Sequence, residues 1–360
     1  MLSELTLSNA AASWRLYERV DDVRRWQGKM LEATGFGAVQ TRSRIVHEGE
    51  GFTLRGYAAA SAGGPVVLLV PAPIKRAYIW DLLPGASAVA ACVKGGLRPY
   101  LIEWDSPRPS FGLADYADRF ILECVNALKA ETGTARLVIA GHSLGGLFAA
   151  IFASLRPTLL DGLVLITSPL HFEFAREAGA IGPVVAELSR SKALLEADAN
   201  LPGAFLSMAS FVASPASFGR ERWDDWVRSW VHTDALASHL RAERWTLDEL
   251  PLAHQLVMDI AQQLYREDGF LRGSLRLSGR SASAQQVVAP LFVVADKRCA
   301  LVPPGAVLPF YEAAASEDKR LLWYEGDVGV AIQHVGPLIG RNAHRKLWPQ
   351  ILTWVHEHSR

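Results

Sequence analysis

The segment RLVIAGHSLGGLFAA, residues 136–150, places a serine between glycines just where buried-strand residues give way to small helix formers. This junction predicts a sharp strand–turn–helix in which the side chain of Ser143 points out of a sheet. Gly141 and Gly145 lack a Cβ, so neighbouring backbone can pass closely at the turn. A helix beginning at Leu144 aims free amides at an oxygen beside Ser143. The segment predicts a nucleophilic serine, although a Gly-x-Ser-x-Gly pattern that merely caps a helix also occurs by chance.

Strand-like runs alternate with helical runs along most of the chain. The predicted strands are PVVLLVP, PYLIEWD, RLVIAG, GLVLIT, PLFVVAD and KRLLWYE, preceded by a hairpin in RSRIVHEGEGFTLRGYAAA. The predicted helices cover residues 10–33, 79–94 and 113–131, the stretch from Leu144, and the terminal WPQILTWVHEH. This alternation predicts an α/β fold whose mostly parallel, doubly wound sheet is covered by helices on both faces.

Residues 168–287 interrupt the alternation, with many helix formers and little strand signal. We expect residues 1–167 to form an N-terminal helix and the first part of the core. Residues 168–287 then form a helical lid inserted after the sixth core strand, and residues 288–360 complete the core. The most loop-like stretch, SGRSASAQQ at 278–286, predicts the return from the insertion to the core.

Two apolar stripes at helical spacing predict helix faces that pack against the rest of the protein. One lies in the N-terminal helix, and the other lies in RERWDDWVRSW of the insertion. The stripe residues are Trp14, Leu16, Val20, Val23 and Trp26, and then Trp223, Trp226 and Trp230. Direct contact of the second stripe with substrate is the less favoured alternative.

A serine needs a base to remove its proton, and ten histidines compete for that role. His334 follows the last predicted strand in the glycine-flanked loop GVAIQHVGPLIG, so we predict that it is the base. His142 adjoins the nucleophile, but neighbouring side chains diverge at a turn, so it is expected to line the pocket.

The acid that orients such a histidine is expected at the end of PLFVVAD, which is Asp296. The chain order is then nucleophile, acid, histidine. A helix cap or a surface ion pair with Lys297 or Arg298 is the alternative role for Asp296. Asp327, in YEGDVGV, is the reserve candidate for the acid.

A second oxyanion donor is expected in the loop VPAPIKR, which follows the strand PVVLLVP. Pro71 and Pro73 have no amide hydrogen, so the donor must be Ala72 or Ile74. The residues do not distinguish these two. The predicted chemistry needs neither a metal ion nor a cofactor.

The composition disfavours several partners. With 37 basic and 37 acidic residues, no net field draws the chain to nucleic acid or to an anionic membrane. No stretch has the ~18 uninterrupted apolar residues of a membrane span, and the first residues do not resemble a secretory signal. Three widely spaced cysteines suit a reducing compartment, so we expect a cytoplasmic protein without disulfides.

Longer stretches resemble the polyhydroxyalkanoate synthase branch of the α/β-hydrolases, over roughly residues 45–357. The resemblance is carried by VPAPIKRAYIWDLLPGASAV, PYLIEWDSP, LITSPLHFE, NLPGAFL, LYREDGFLRGSLRLSG, ALVPP and HVG. It implies an insertion that covers the pocket and pairs two subunits into a homodimer. Synthases of this family have cysteine inside the glycine box, whereas this chain has Ser143.

The resemblance also implies an aspartate four residues before the first proline of Val-Pro-Pro. Counting back from Pro303 reaches Cys299, so the usual position holds no carboxylate. Either Asp296 reaches in from the strand end, or the histidine acts without an acid.

Together these features predict a serine hydrolase that cleaves a carboxylic ester through an acyl-enzyme. An oxyester on serine is the usual prelude to attack by water, while a thiolate favours transfer to another alcohol. One alternative is a transferase or polymerase that uses hydroxyacyl thioesters. Another is a non-catalytic binding protein on a hydrolase scaffold, because the expected aspartate is missing.

Overall fold

A computed structural model of the chain describes residues 2–58, 63–173, 199–231 and 233–359, with side chains for all of these except residues 2–14 and 213. The strands are β1 (Ser43–Gly49), β2 (Phe52–Tyr57), β3 (Val66–Val70), β4 (Asp81–Leu83), β5 (Ala86–Ser87), β6 (Arg98–Trp104), β7 (Leu137–His142), β8 (Leu160–Ile166), β9 (Leu275–Leu277), β10 (Arg280–Ala282), β11 (Leu291–Asp296) and β12 (Lys319–Tyr324). Eight of them form one sheet in the order β1-β2-β6-β3-β7-β8-β11-β12. The pairs β4–β5 and β9–β10 form two small antiparallel sheets.

Helices cover the sheet and fill the connections. They are α1 (Leu2–Leu31), α2 (Ala88–Lys94), α3 (Phe120–Thr132), α4 (Leu144–Leu155), α5 (Gly203–Ala213), α6 (Glu221–Ser229), α7 (Thr233–Thr246), α8 (His254–Asp259), α9 (Gly269–Arg272), α10 (Leu308–Ala313), α11 (Gly336–Ile339) and α12 (Trp348–His358). Short π-helical segments are Glu32–Phe36, Asp115–Arg119, Ala216–Arg220, Ile260–Arg266 and Ala343–Leu347. Short 3₁₀ turns are Ala77–Trp80, Pro157–Leu159, Ala284–Gln286, Pro304–Ala306 and Gln333–Val335.

The central strands are continuous apolar runs because helices bury both faces of the sheet. Every residue of β3 is buried, and successive side chains point to opposite faces. Val66, Leu68 and Val70 join one hydrophobic core, while Val67 and Leu69 join the other. Within the eight-stranded sheet, every neighbouring pair from β6 to β12 in the spatial order is parallel, and the two pairs that β2 forms, with β1 and with β6, are antiparallel. This architecture confirms the predicted fold class, including the N-terminal hairpin.

The predicted insertion follows β8, the sixth strand of the large sheet in chain order. Its described part contains α5 to α9 and the hairpin β9–β10, while residues 174–198 and 232 lie outside the described residues. The stretch 278–286, predicted as the most loop-like part and as the return to the core, contains a strand. Ser278 and Gly279 have positive φ and form a tight turn, so the chain reverses there and Arg280–Ala282 pairs with β9. The role of the insertion as a lid stays a prediction.

The predicted helix at 79–94 was wrong in its first half. Pro84 and Gly85 form a turn, with Gly85 at φ 88°, which no helix interior allows. The chain therefore forms the hairpin β4–β5, and the helix begins only at Ala88. Ser87 caps it by accepting a hydrogen bond from the Ala90 amide at 2.8 Å.

The described part of the apolar stripe of α1, from Leu16 to Trp26, is exposed, contrary to the prediction, while the side chain of Trp14 lies outside the described residues. Leu16 and Trp26 are 61% and 62% exposed. The helix docks instead through polar side chains on another face, because these find specific partners. Asp21 accepts a hydrogen bond from the Ala204 amide at 2.7 Å, and Arg24 pairs with Glu249 at 3.0 Å.

The tryptophan stripe of the insertion is exposed as well. Trp223 and Trp230 are 63% and 61% exposed and contact the half-buried Trp226, Trp223 with a tilted ring and Trp230 edge to face. The buried face of α6 is polar and consists of Asp225 and Ser229. The expected burial of the stripe was wrong because hydrogen bonds of Asp225, described below, determine which face docks.

Candidate active site

Ser143 lies at the turn between β7 and α4. Its backbone has φ 56°, a conformation that few residues other than glycine adopt and that often marks a functional site. The turn is fixed because the Ser143 amide donates to the Ile166 carbonyl at 3.1 Å. A Cβ on Gly141 would lie 2.5 Å from the Gly146 Cα, and one on Gly145 would overlap the Val70 carbonyl. The glycines therefore permit the close packing that presents Ser143.

The second group at the site is His334, on the 3₁₀ turn after β12. Its main-chain carbonyl accepts hydrogen bonds from His142 Nε2 at 2.9 Å and from Thr167 Oγ1 at 3.4 Å. Because a carbonyl can only accept, His142 carries its proton on Nε2. The two imidazole rings lie 4.8 Å apart. Residues at the ends of β7 and β8 therefore hold the backbone of His334 in place.

A cavity of about 260 Å³ contains both groups. Its lining includes the sequence-predicted residues Ser143, His334, His142, Leu144, Ala72 and Ile74. Among the described residues no hydrogen bond joins the Ser143 hydroxyl to His334. Such bonds are often long before substrate binds and shorten in the complex.

Among the described residues no hydrogen bond joins Asp296 to His334, so the role of Asp296 as the acid stays a prediction. Asp296 ends β11 and is 1% exposed. Its Oδ1 accepts the Arg298 amide at 2.8 Å, while its Oδ2 has no partner among the described residues. The chain turns directly after the strand, so the residue that reaches the imidazole comes three positions later. Cys299 Sγ lies 3.5 Å from His334 Nδ1.

The reserve acid, Asp327, is also engaged elsewhere. It accepts hydrogen bonds from Tyr324 Oη at 2.9 Å and from the amides of Asn342 and Ala343 at 2.7 and 3.2 Å. These bonds tie β12 to the segment before α12. Asp327 therefore stabilises the loop that carries His334 without contacting that side chain.

Burial determines the protonation of the site. It lowers the pKa of His334 well below its ordinary value, and the neighbouring His142 lowers it further. It also lowers the pKa of His142 to about 4, against a smaller opposing effect of its hydrogen bond to His334. The pKa of the Cys299 thiol is raised by burial to about 11. At neutral pH both imidazoles and the thiol are therefore uncharged.

The pKa of Asp296 is raised by burial, and the Arg298 amide and guanidinium oppose this only in part. A carboxylate oxygen without a hydrogen bond is costly to bury in its charged form. Asp296 is therefore poorly suited to stabilise an imidazolium. Among the described residues, the side chain that contacts Nδ1 of His334 is Cys299.

The buried His142 should make the protein less stable in acid. Its unfolded pKa of 6.5 lies above its folded pKa of about 4, so between these values the unfolded state takes up the proton first. The stabilisation is complete above pH 6.5 and is lost as pH falls to 4, a loss of about 3 kcal/mol. His142→Gln, which retains a donor for the His334 carbonyl, should lose this share of the pH dependence. Urea unfolding at pH 7 and pH 4 measures it, and an unchanged difference between the two pH values would contradict the assignment.

Within the described ranges no cluster of three or more His, Cys, Asp or Glu side chains is arranged to bind a metal ion. None of the described helices is sufficiently long and apolar to traverse a lipid bilayer.

The fold and the strand–serine–helix turn define the class of protein. Residues 104–246 match a family described as alpha/beta hydrolase fold. A monoacylglycerol lipase from Paleococcus ferrophilus superimposes with a TM-score of 0.55 at 15% sequence identity, covering 86% of this chain and 99% of the lipase. At that identity the similarity shows the fold alone. The chain has the α/β-hydrolase fold.

Within that class, the sequence resembles the poly(3-hydroxyalkanoate) polymerases. The polymerase subunit PhaC of Haloferax mediterranei is 26% identical over 297 residues, which are 81% of this chain and 59% of the relative. The subunit of the same name from Thiocystis violacea is 25% identical over 296 residues, which are 81% of each protein. This chain therefore spans about three fifths of the Haloferax relative and about four fifths of the Thiocystis relative.

The sequence offered a signal for only some of the residues at the site. The spacing before Val-Pro-Pro pointed to Cys299 as the occupant of the acid position, and the structure places its thiol at His334. Thr167 carries no recognisable motif, and its contact with the His334 carbonyl depends on tertiary packing, so the sequence analysis missed it.

Proposed function

We propose that the protein is a serine-dependent carboxylic ester hydrolase. The observation that carries the proposal is the presence of Ser143, on a strained turn at a helix N-terminus, and His334 in one cavity. The Ser143 hydroxyl attacks the ester carbonyl and passes its proton to His334 Nε2. The imidazolium returns that proton to the leaving alcohol, which leaves an acyl-enzyme. Water then attacks the acyl-enzyme with the same base, releasing the acid and restoring Ser143.

The negative oxygen that develops in each step needs two donors. The Leu144 amide at the start of α4 is the first. For the second we favour Ala72 over Ile74, because the Pro71 carbonyl accepts a hydrogen bond from Trp104 Nε1 at 2.8 Å. In a trans peptide the N–H points opposite to the C=O, so the Ala72 amide points away from Trp104. Ala72 lines the cavity and Trp104 does not.

The residue at His334 Nδ1, where a catalytic triad has an acid, is unusual because it is Cys299. A carboxylate at Nδ1 would fix the proton there, leave Nε2 free to act as base, and stabilise the imidazolium. A neutral thiol is only a weak acceptor. We infer that Ser143 and His334 act as a dyad with Cys299 beside it, and that the enzyme is slow for this reason.

The substrate proposal follows from the cavity lining. Apart from the catalytic groups, most of its surface is apolar, including Ile79, Leu206, Trp245 and Leu252. This favours an ester with an apolar acyl chain, or a polyester segment. The insertion contributes Leu206, Trp245 and Leu252, so we propose that it acts as a lid. We further propose a cytoplasmic homodimer paired through this insertion, and the buried free thiols of all three cysteines suit a reducing compartment.

A second candidate function is transfer of hydroxyacyl groups to a growing polyester. It is favoured by the relatives named as poly(3-hydroxyalkanoate) polymerases. Serine at position 143 favours hydrolysis, since an oxyester intermediate is a poorer acyl donor than a thioester.

Product analysis distinguishes the two candidates. The purified protein is incubated with p-nitrophenyl butyrate and, separately, with 3-hydroxybutyryl-coenzyme A. We expect nitrophenol and butyrate in equal amounts from the ester, and no polymer from the thioester. Polymer or a transfer product without net hydrolysis would overturn the hydrolase proposal. A protein that turns over neither substrate and does not react with a fluorophosphonate would support a non-catalytic binding role.

A further inference from the structure

Asp225 joins the insertion to the loop that carries His334. It lies on the buried face of α6 and is 5% exposed. Its Oδ1 accepts the Gly329 amide at 2.9 Å, and its Oδ2 accepts the Ala331 amide at 2.8 Å. The same Oδ2 accepts a hydrogen bond from His239 Nδ1, on α7, at 2.7 Å. A single buried carboxylate thus binds two backbone amides of one loop and a second helix of the insertion.

The loop needs this support because its backbone is strained. Gly329 has φ 85°, and Ala331, which is not a glycine, has φ 59°. Such a conformation costs about 1–3 kcal/mol in a residue with a Cβ unless the surroundings enforce it. A Cβ on Gly329 would lie 2.5 Å from the Ala235 carbonyl of α7, so the loop also packs tightly on the insertion. The carboxylate of Asp225 satisfies both amides in this arrangement.

The strained segment leads directly to the base. His334 follows Ala331 by three positions, and the Val335 amide donates to the Ile332 carbonyl at 3.1 Å. Because one short turn connects the two residues, a displacement of the backbone at Ala331 would also displace His334. The carbonyl of His334 is held from the sheet side by His142 and Thr167, so the loop is fixed at two points.

The polar contacts of Asp225 also extend to the cavity, through His239 and Glu243. His239 is 1% exposed, and its Nε2 lies 3.6 Å from Glu243 Oε1. Glu243 pairs with Arg222, which lines the cavity. Contacts between polar side chains thus extend from the cavity wall through Arg222, Glu243 and His239 to Asp225, which binds the loop.

We propose that Asp225 is a positioning residue for His334, so that the base is in place only while the insertion is docked through this carboxylate. The proposal rests on the proposed function, in which His334 is the base. It assigns to α6 and α7 a part in assembling the catalytic site, in addition to their part in covering it.

The test compares Asp225→Asn with a matched control at the same interface. The amide of the variant has one acceptor oxygen, so it cannot serve both backbone amides and His239 together. We expect its kcat for p-nitrophenyl butyrate to fall at least tenfold with little change in KM, and its fluorophosphonate labelling rate to fall equally. Asp234→Asn removes the exposed ion pair between α7 and Arg341 and should keep the wild-type rate. Each kcat is divided by the fraction of protein that the fluorophosphonate eventually labels, which removes the effect of unfolded protein.

A second pair of variants tests the hydrogen bond to Asp225 independently. His239→Asn can still donate to Asp225 and should stay within about threefold of the wild-type kcat, whereas His239→Leu removes one of the three donors to Asp225 and should lower kcat by more than threefold. The proposal is overturned if Asp225→Asn keeps the wild-type kcat per labelled site, or if both His239 variants behave alike. Failure of the proposed function looks different, because then the wild-type protein itself would neither hydrolyse the ester nor react with the fluorophosphonate.

Discussion

Replacement of Ser143 by alanine should abolish reaction with a fluorophosphonate and lower kcat for aryl esters by about 10². The expected loss is modest for a nucleophile because, among the described residues, His334 Nδ1 contacts a thiol and no carboxylate. In a serine protease, loss of the serine alone costs about 2 × 10⁶ in kcat and loss of the carboxylate alone about 3 × 10⁴. Dividing the first cost by the second gives about 10², which is the further loss in kcat expected on removing the serine from a protein that already lacks the carboxylate. The residual activity comes from the oxyanion donors and from substrate binding.

The matched control for this variant is Ser207→Ala. Ser207 also lines the cavity but lies on α5 of the insertion, not on the turn after β7. It should keep both the labelling and the rate, and mass spectrometry of the labelled wild-type protein should locate the phosphonate on Ser143. Hydrolysis that survives Ser143→Ala unchanged, or a label on another serine, would exclude the proposed nucleophile.

The central sheet could be predicted from sequence because its buried strands contain continuous runs of apolar residues. Continuous apolar runs such as VVLLV in β3 occur where both faces are buried, and the glycines around Ser143 mark a turn that few other residues permit. The errors arose where short-range chemistry competes with periodicity. A Pro-Gly turn at residues 84–85 replaces the first half of the predicted helix, which begins only at Ala88, although the surrounding residues favour a helix.

The docking faces of the helices could not be predicted from their hydrophobicity. In α6 the tryptophans define an obvious stripe, yet the helix buries Asp225. Two of its three partners are backbone amides about a hundred positions away, and every residue except proline has such an amide, so the sequence does not mark them. The residue at His334 Nδ1 could not be predicted for a similar reason, since the sequence does not show how the chain turns after β11 and therefore whether Asp296 or Cys299 faces the imidazole.

Replacement of Cys299 by aspartate is expected to raise kcat/KM for p-nitrophenyl butyrate at least tenfold. A carboxylate at this position accepts a hydrogen bond from the N–H at His334 Nδ1, leaves Nε2 free and stabilises the imidazolium that forms during proton transfer. In a serine protease that interaction is worth about 10⁴, which sets the upper limit. The new negative charge also raises the pKa of His334. The acid limb of the pH–rate profile should therefore move to higher pH, a shift that a general gain in stability would not cause.

Two variants identify the carboxylate charge as the cause. Cys299→Asn has the shape of aspartate without its charge and should show no gain. Asp296→Asn should change the wild-type rate less than twofold, because Asp296 makes no hydrogen bond to His334 among the described residues. Combined with Cys299→Asp, it also removes a neighbouring carboxyl that would otherwise oppose ionisation of the new one. Equal rates for the aspartate and asparagine variants at position 299 would show that the thiol does not occupy the acid position. A large loss in Asp296→Asn would return that role to Asp296.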